Sequence, residues 1–295
     1  KYGQNNIFYL SAHKNHFNNA LQDYNIKIND LKTEISYFGF RLWHFLSSKR
    51  KLLSKNSIEK FDLIIDLQSK LRNTLILKQI PNRHFYSSTL NFKFCSTHKD
   101  YISTKYDNNN IILNLEKLLN DKIVFRKYDT DLIDNKYFTE AKRLLPDSNY
   151  IGFSITQGNA YRKKSWPIEK FLSVANKILK QNKIPVFFIE RNNIDLINKI
   201  KNEIQNVLIP ELDSNLSGPP LVTALSKRLE KAISIDNGIM HMIGLANIPM
   251  TVLFGPTNSK KFSPKIKNIN ILDSKILYNS DEISKIKEED VLNLI

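Results

Sequence analysis

From Tyr150 onward the chain alternates short apolar runs with amphipathic stretches, and this alternation leaves few choices of fold. Tyr150 to Ile155 reads as a strand, and the polar loop Thr156-Gln157-Gly158-Asn159 follows it. From Pro167, a residue tolerated in a first helical turn, Phe171, Val174, Ala175, Ile178 and Leu179 recur three and four apart, the spacing of one helix face. Ile184 to Ile189 reads as a strand, Ile194 to Ile204 as a helix, Val207 to Ile209 as a short strand, Leu221 to Lys231 as a helix and Ala232 to Asp236 as a strand. A helix over Ile239 to Ala246 and an apolar strand over Met250 to Phe254 continue the series. Repetition of this kind implies a parallel sheet with helices on both faces, because parallel neighbours need a crossover and the crossover is a helix. Ser280 to Ile295 carries strong helix formers and reads as a final helix.

The first half is less regular. Ile7 to Leu10 reads as a strand, and Ser11 to Lys32 mixes helix and turn signals. Asp62-Leu63-Ile64-Ile65-Asp66-Leu67 has the look of a buried parallel strand, and Lys70 to Gln79 suits a helix through Leu71, Leu75 and Leu77. Asn82 to Asp107 shows no clear period. A chain of 295 residues exceeds one comfortable core, so two domains are expected. The cluster Pro146, Asp147, Ser148, Asn149 precedes the clean alternation and puts the boundary there, giving domains 1–147 and 148–295. The chain opens at Lys1 and runs almost at once into its first strand, so the first domain is expected to lack an N-terminal strand.

Composition bounds the chemistry. Cys95 is the single cysteine, which excludes an intrachain disulfide and a cysteine-based metal site and fits a reducing, cytoplasmic compartment. No apolar run approaches the ~18 residues of a spanning helix. The 44 lysines and arginines against 29 acidic residues give a formal charge of +15, which favours encounter with phosphate-rich partners: nucleic acid, an anionic membrane face or a phosphorylated glycolipid. Zinc-finger spacing and aromatic-basic RNA motifs are missing, so nucleic acid is not the expected partner. A strand followed by a Gly-rich dinucleotide fingerprint is also missing, which disfavours a dehydrogenase.

In open α/β sheets ligands bind beyond the carboxyl ends of the strands. Asp236-Asn237-Gly238 occupies such a corner: a strand ends, a turn follows, and a helix starts whose free amides and partial positive charge suit a diphosphate. Gly238 lets a ligand approach the main chain, and His241 in the first turn can lean back to the same corner. Each residue alone has a plainer reading, Asp236 as a helix cap and His241 as a half-buried histidine. Lys164-Ser165-Trp166-Pro167 opens a helix beyond the Thr156 to Asn159 loop, where Lys164 can reach a phosphate while Trp166 anchors the helix. Gly255-Pro256-Thr257 follows the strand Met250 to Phe254 and is either a simple turn or a contact to phosphate or sugar. Glu190, past Ile189, is a positional candidate for a ribose or sugar contact.

Together these segments resemble the family 9 glycosyltransferases, whose best-known members are lipopolysaccharide heptosyltransferases. Asp236-Asn237-Gly238-Ile239-Met240-His241 resembles the family's aspartate, hydroxyl residue, glycine, two variable residues, histidine. Lys164-Ser165-Trp166-Pro167 and Phe254-Gly255-Pro256-Thr257 resemble two further motifs in the same order, and Asp62 to Gln68 with Arg72 is a weaker match. The resemblance implies two Rossmann-like lobes of the GT-B architecture, with the acceptor held by the first and the nucleotide sugar by the second. It implies inverting transfer of a heptose or similar sugar, without metal or cofactor, from a nucleotide-diphosphate donor such as ADP-heptose to a lipopolysaccharide core acceptor, at the anionic inner face of the membrane. Lys164 and His241 would face the diphosphate and Asp236 with Gly238 would shape the pocket. Thr156, Gln157, Gly158, Glu190, Asn237, Gly255 and Thr257 would complete the donor side, and Asp66, Gln68 and Arg72 the acceptor side. Asn237 departs from the usual hydroxyl residue. The family's N-terminal glycine-aspartate loop, source of the general base, has no counterpart here; Asp66 is the substitute candidate. A chain without that base would bind sugar nucleotide or glycolipid without transferring sugar.

Overall fold

The computed structural model describes residues 6–10, 16–26, 28–31, 58–96, 111–123, 127–158 and 160–295. Asn159 of the loop predicted after the first strand of the second half, parts of Ser11 to Lys32 and the end of Asn82 to Asp107 lie outside them. The backbone forms two compact units, one of Lys1–Gln22 and Ile26–Lys127, the other of Asp23–Asn25 and Tyr128–Ile295.

The first unit contains two parallel strand pairs among its described residues. One joins β1 (Phe8–Tyr9) to β2 (Asn29–Asp30). The other joins β3 (Phe61–Asp66) to β4 (Asn82–Ser87), with α1 (Leu71–Lys78) as the crossover. Helix α2 (Ile111–Leu119) packs on β4. Ile76, Leu77, Ile80 and Phe85 form one small core, while Tyr86, Phe92, Cys95, Leu115 and Leu118 form a second.

The second unit holds the alternation read from sequence. Helix α3 (Asn135–Leu144) precedes β5 (Tyr150–Ser154), α4 (Ile168–Leu179), β6 (Ile184–Phe187), α5 (Ile194–Glu203), α6 (Pro219–Ser226), β7 (Lys231–Ile235), α7 (Gly238–Ala246) and β8 (Met250–Phe254). Then come α8 (Ser259–Phe262), β9 (Ile269–Asp273), α9 (Ser274–Tyr278) and α10 (Glu288–Leu292). The five strands are parallel in the order β6-β5-β7-β8-β9. Strands β5 and β8 are buried at every position, as expected of central parallel strands covered on both sides. Passing from β5 to β6 moves one way along the sheet and from β7 to β8 the other, so right-handed crossovers set α4 and α7 on opposite faces. Trp166, Phe171, Val174 and Ile178 fill the α4 side together with Leu272 and Val291.

Several expectations change. The strand expected over Val207 to Ile209 is a single bridge, Val186 to Leu208. The helix expected over Leu221 to Lys231 starts at Pro219, stops at Ser226, and leaves Lys231 to open β7. The last sixteen or so residues are not one helix: a 3-10 turn at Ile283–Lys285 precedes the short α10, because Ile283 and Ile286 turn into the core and break the helical run. The division between units falls before α3, not in the Leu145 to Asn149 cluster. Helix α3 packs on α6, and Arg228 of this unit donates to the carbonyls of Leu145, Pro146 and Asp147 at 2.9 to 3.0 Å, tying that cluster into the second unit.

Asp23–Asn25 also belongs here. Tyr24 is buried, its hydroxyl lies 2.7 Å from the Thr223 hydroxyl, and its carbonyl accepts from the Tyr128 hydroxyl at 2.6 Å. Tyr137 donates to Asp23. Burial pushes the Tyr128 and Tyr137 phenols up to about 12, with Tyr24 and Asp23 respectively adding to the shift.

Candidate functional site

Because the strands run parallel and in register, β5, β7 and β8 end on one edge of the sheet. Ser154 is the last residue of β5 and faces Ser234 across the β5–β7 pair. Asp236 and Asn237 follow β7, and Gly255 follows β8. Chain direction alone therefore gathers residues from three distant segments.

Asn237 is the joint of this edge. Its side-chain oxygen accepts from Met240 N–H at 2.9 Å and caps α7, so the cap is Asn237 and not Asp236. Its amide donates to the Ser154 hydroxyl at 2.7 Å and to the Thr156 carbonyl at 2.8 Å. An asparagine in place of a hydroxyl residue thus adds a second arm that locks the β5 loop to the start of α7. Ser154, fully buried, was not singled out from sequence; the only signal was a hydroxyl closing an apolar strand.

Asp236 is freed from capping and pairs with the Lys164 ammonium. Their side chains are only 8% and 12% exposed, and the ammonium also lies 3.4 Å from the Asp236 carbonyl. Gln157 fixes the base of the loop by accepting from the Lys164 main-chain N–H at 2.8 Å. Trp166, buried, donates to the Ile286 carbonyl at 3.0 Å and packs edge-on against Phe171, so Lys164 is held close to a rigid anchor.

His241 stands at an exposed position on α7, yet protein atoms crowd its ring. That crowding is the main cause lowering its pKa below 6.5; Asp236 opposes the shift and Lys164 reinforces it. Both charges of the buried pair therefore lie within electrostatic reach of the imidazole. A Cβ placed on Gly238 or on Gly158 would meet nothing within 4 Å, so the space in front of both main chains is open. The arrangement offers an anion three things at one place: an ammonium, an imidazole and the amides of a helix start.

The remaining candidates divide. Gly255 is a packing position: a Cβ there would lie 2.8 to 3.0 Å from Ile283 Cβ, Ile283 N and the Asp281 carbonyl. Thr257 has a buried hydroxyl oxygen without a hydrogen-bond partner, while Asn258 caps α8 and the Pro256 carbonyl accepts from Lys275 at 2.9 Å. Glu190 is exposed past the end of β6, and its carbonyl accepts from Asn193 N–H. Its neighbour Arg191 donates to the carbonyls of Glu211 and Ser214, a contact that sequence reasoning missed.

In the first unit, Asp66 is 3% exposed and accepts four hydrogen bonds: Gln68 N–H and Ser69 N–H on one oxygen, the Thr74 and Ser87 hydroxyls on the other. With both oxygens engaged, it braces the turn between β3 and α1 and offers no lone pair to an acceptor hydroxyl. Gln68 is exposed and accepts from the Asn73 amide at 2.8 Å; Arg72 is exposed in the first turn of α1. No group of three or more metal-ligating side chains occurs among the described residues.

Residues 49–292 match the family model described as glycosyltransferase family 9 (heptosyltransferase). A comparison with curated proteins gives no match. Among solved structures, the chain resembles a family 9 glycosyl transferase from Veillonella parvula at a TM-score of 0.62 and 18% identity, covering 94% of this chain and 84% of that one. It resembles E. coli heptosyltransferase WaaC with ADP at 0.54 and 13%, covering 84% and 76%. E. coli ADP-heptose lps heptosyltransferase II gives 0.54 and 15%, covering 93% and 84%. These likenesses carry the fold, two Rossmann-like lobes of the GT-B kind, and the family model carries the kinship. The chain belongs to glycosyltransferase family 9, the heptosyltransferase family, and is a glycosyltransferase.

Proposed function

We propose that the protein transfers a heptose or similar sugar from a nucleotide-diphosphate donor, ADP-heptose first among candidates, to the core of a lipopolysaccharide, with inversion and without a metal. The observation that carries this reading is the cluster of Lys164, Asp236, Asn237 and His241 at the start of α7. In an inverting displacement the acceptor oxygen attacks the anomeric carbon from the face opposite the diphosphate. The bond from that carbon to the phosphate oxygen breaks, and negative charge gathers on the leaving diphosphate. On this reading that charge would collect beside Lys164 and the first amides of α7, and His241 would donate to a phosphate oxygen. These groups supply the stabilisation a metal would otherwise give, which supports metal independence.

Domain roles follow the same logic. The second unit would hold the donor, and Gln68 and Arg72 of the first would face the acceptor. Asp66, engaged in four hydrogen bonds, is not assigned the base. No helix among the described residues is long and apolar enough to cross a membrane, and the +15 charge favours work at the anionic inner face of a membrane carrying a phosphorylated acceptor. Calorimetric titration of ADP-heptose and ADP into wild type and Lys164→Ala tests the reading. Binding by wild type, weakened at least tenfold in the variant, is expected; no binding of either ligand to wild type would overturn it. Donor binding without turnover on any lipopolysaccharide core would leave a sugar-nucleotide-binding protein instead.

A further inference from the structure

Between Asn237 and Leu272 the sequence contains no aspartate or glutamate, yet it contains Lys260, Lys261, Lys265 and Lys267. This stretch builds α7, β8, α8 and β9 up to Leu272, the β9 end of the sheet. All four lysines are exposed, and among the described residues none forms an ion pair with a carboxylate. Lys265 instead reaches the Lys260 carbonyl at 2.9 Å, and the Lys261 ammonium sits 5.3 Å from the Phe262 ring centroid.

Large apolar side chains stand exposed in the same region. Leu245, Phe262 and Ile271 are each 40% exposed. On α7, Gly244 and Leu245 follow His241 by three and four residues and share its face. Pro264 crosses that face, since a Cβ on Gly244 would lie 2.9 Å from Pro264 Cβ. Leu272 points into the core on the α4 side, so Ile271 points to the other side, where α7 lies. Strand β9 is one edge of the sheet, and among the described residues no further strand pairs with it.

We infer that this edge is where the protein meets a bilayer surface bearing anionic lipid headgroups, deepening the proposed action on a membrane-borne acceptor. Lysines without carboxylate partners supply charge complementarity to headgroup phosphates. Exposed Phe262 beside Lys261, together with exposed Leu245 and Ile271 at the same end of the sheet, argues for lipid over nucleic acid, because only a bilayer offers an apolar layer beneath its phosphates. The His241 face of α7 runs from this edge to the candidate donor site, so docking here would set that site close to the membrane.

Flotation with vesicles of phosphatidylcholine alone and with added phosphatidylglycerol tests the inference, without nucleotide. Binding to the anionic vesicles only is expected, reduced more than about tenfold by Lys260→Glu with Lys261→Glu, restored by arginine at both positions, and weakened by Phe262→Ser. Equal binding of wild type and the glutamate variant would overturn it. So would self-association abolished by Phe262→Ser, which would give this edge to a second copy, or binding to RNA with none to vesicles. ADP calorimetry on the same variants without lipid keeps the two readings apart: unchanged ADP binding with lost flotation concerns the lipid face alone, and flotation intact with no ADP binding concerns the donor site alone.

Discussion

The buried Lys164–Asp236 pair makes a quantitative prediction for Asp236→Asn. Breaking a fully buried ion pair by removing one partner costs about 3 to 5 kcal/mol, because the other charge stays buried. Here the side chains are 12% and 8% exposed, and asparagine keeps one oxygen for the ammonium, so the loss should fall near about 2 to 3 kcal/mol. For a unit of this size each kcal/mol lowers Tm by about 2 to 4 °C, so the second unit should melt about 5 to 10 °C early. A diphosphate bound beside Lys164 supplies the missing negative charge. Saturating ADP should therefore raise the melting temperature of Asp236→Asn more than that of wild type, closing much of the gap. Scanning calorimetry with and without ADP measures both terms. An unchanged Tm without ligand would show that the pair does not hold the corner. A smaller ADP response in the variant would show that Asp236 assists the anion, the opposite of competing with it.

The two glycines of the site should part company. Gly255→Ala forces a Cβ into the 281–283 main chain and should cost about 1 to 3 kcal/mol in urea unfolding, whereas Gly238→Val faces open space and should leave stability near wild type while weakening ADP binding at least tenfold. His241 has a folded pKa below its unfolded value, so the unfolded chain takes up the proton first. Its contribution to stability is present above its ordinary unfolded pKa and is lost as pH falls through the lowered folded pKa; His241→Asn should flatten that acid-side fall in the stability profile, and an identical profile would refute the assignment. Tyr24→Phe removes the hydroxyl that meets the buried Thr223 and should cost about 1 to 2 kcal/mol in the second unit's transition, although residue 24 lies far before that unit in sequence.

How much of this was legible depends on where the controlling contact lies. Strands β5, β7 and β8 and helix α4 follow from local pattern, since full burial of a strand and a single apolar helix face both leave a mark within a few residues. The α7 corner was legible for the same reason, through Asn237-Gly238. Strand β9 was not, because as an edge strand it alternates Asn270 with exposed Ile271 and lacks the continuous apolar run of its neighbours. The boundary between units falls elsewhere because a Pro-Asp-Ser-Asn cluster reads as a linker, and contacts distant in sequence, Arg228 to the carbonyls of 145–147 and Ile184 to the Asn149 carbonyl, fasten it down.

In the first unit the strand over Asp62 to Leu67 and the helix over Lys70 to Gln79 were legible, as β3 and α1, but β4 was not: Thr74 of α1 turns inward to Asp66 and Thr89, and Ser87 of β4 donates to Asp66. A core built on a buried carboxylate and hydroxyls has the polarity of a surface when read as sequence. The same limit shows in reverse at the α7 corner. Capping was the plainer reading of Asp236, and it would have directed that charge to the helix amides. The actual cap is Asn237, so the aspartate is left to a lysine 72 residues earlier, and the helix amides beyond Met240 N–H are not consumed by that carboxylate. On the proposed reading, what would suit the corner to a diphosphate is therefore less the aspartate in the motif than the residue beside it: an amide at position 237 can cap α7 with its oxygen and lock the β5 loop with its nitrogen at once. A serine there could cap the helix but could not also donate to both Ser154 and the Thr156 carbonyl, because a hydroxyl has a single proton to give.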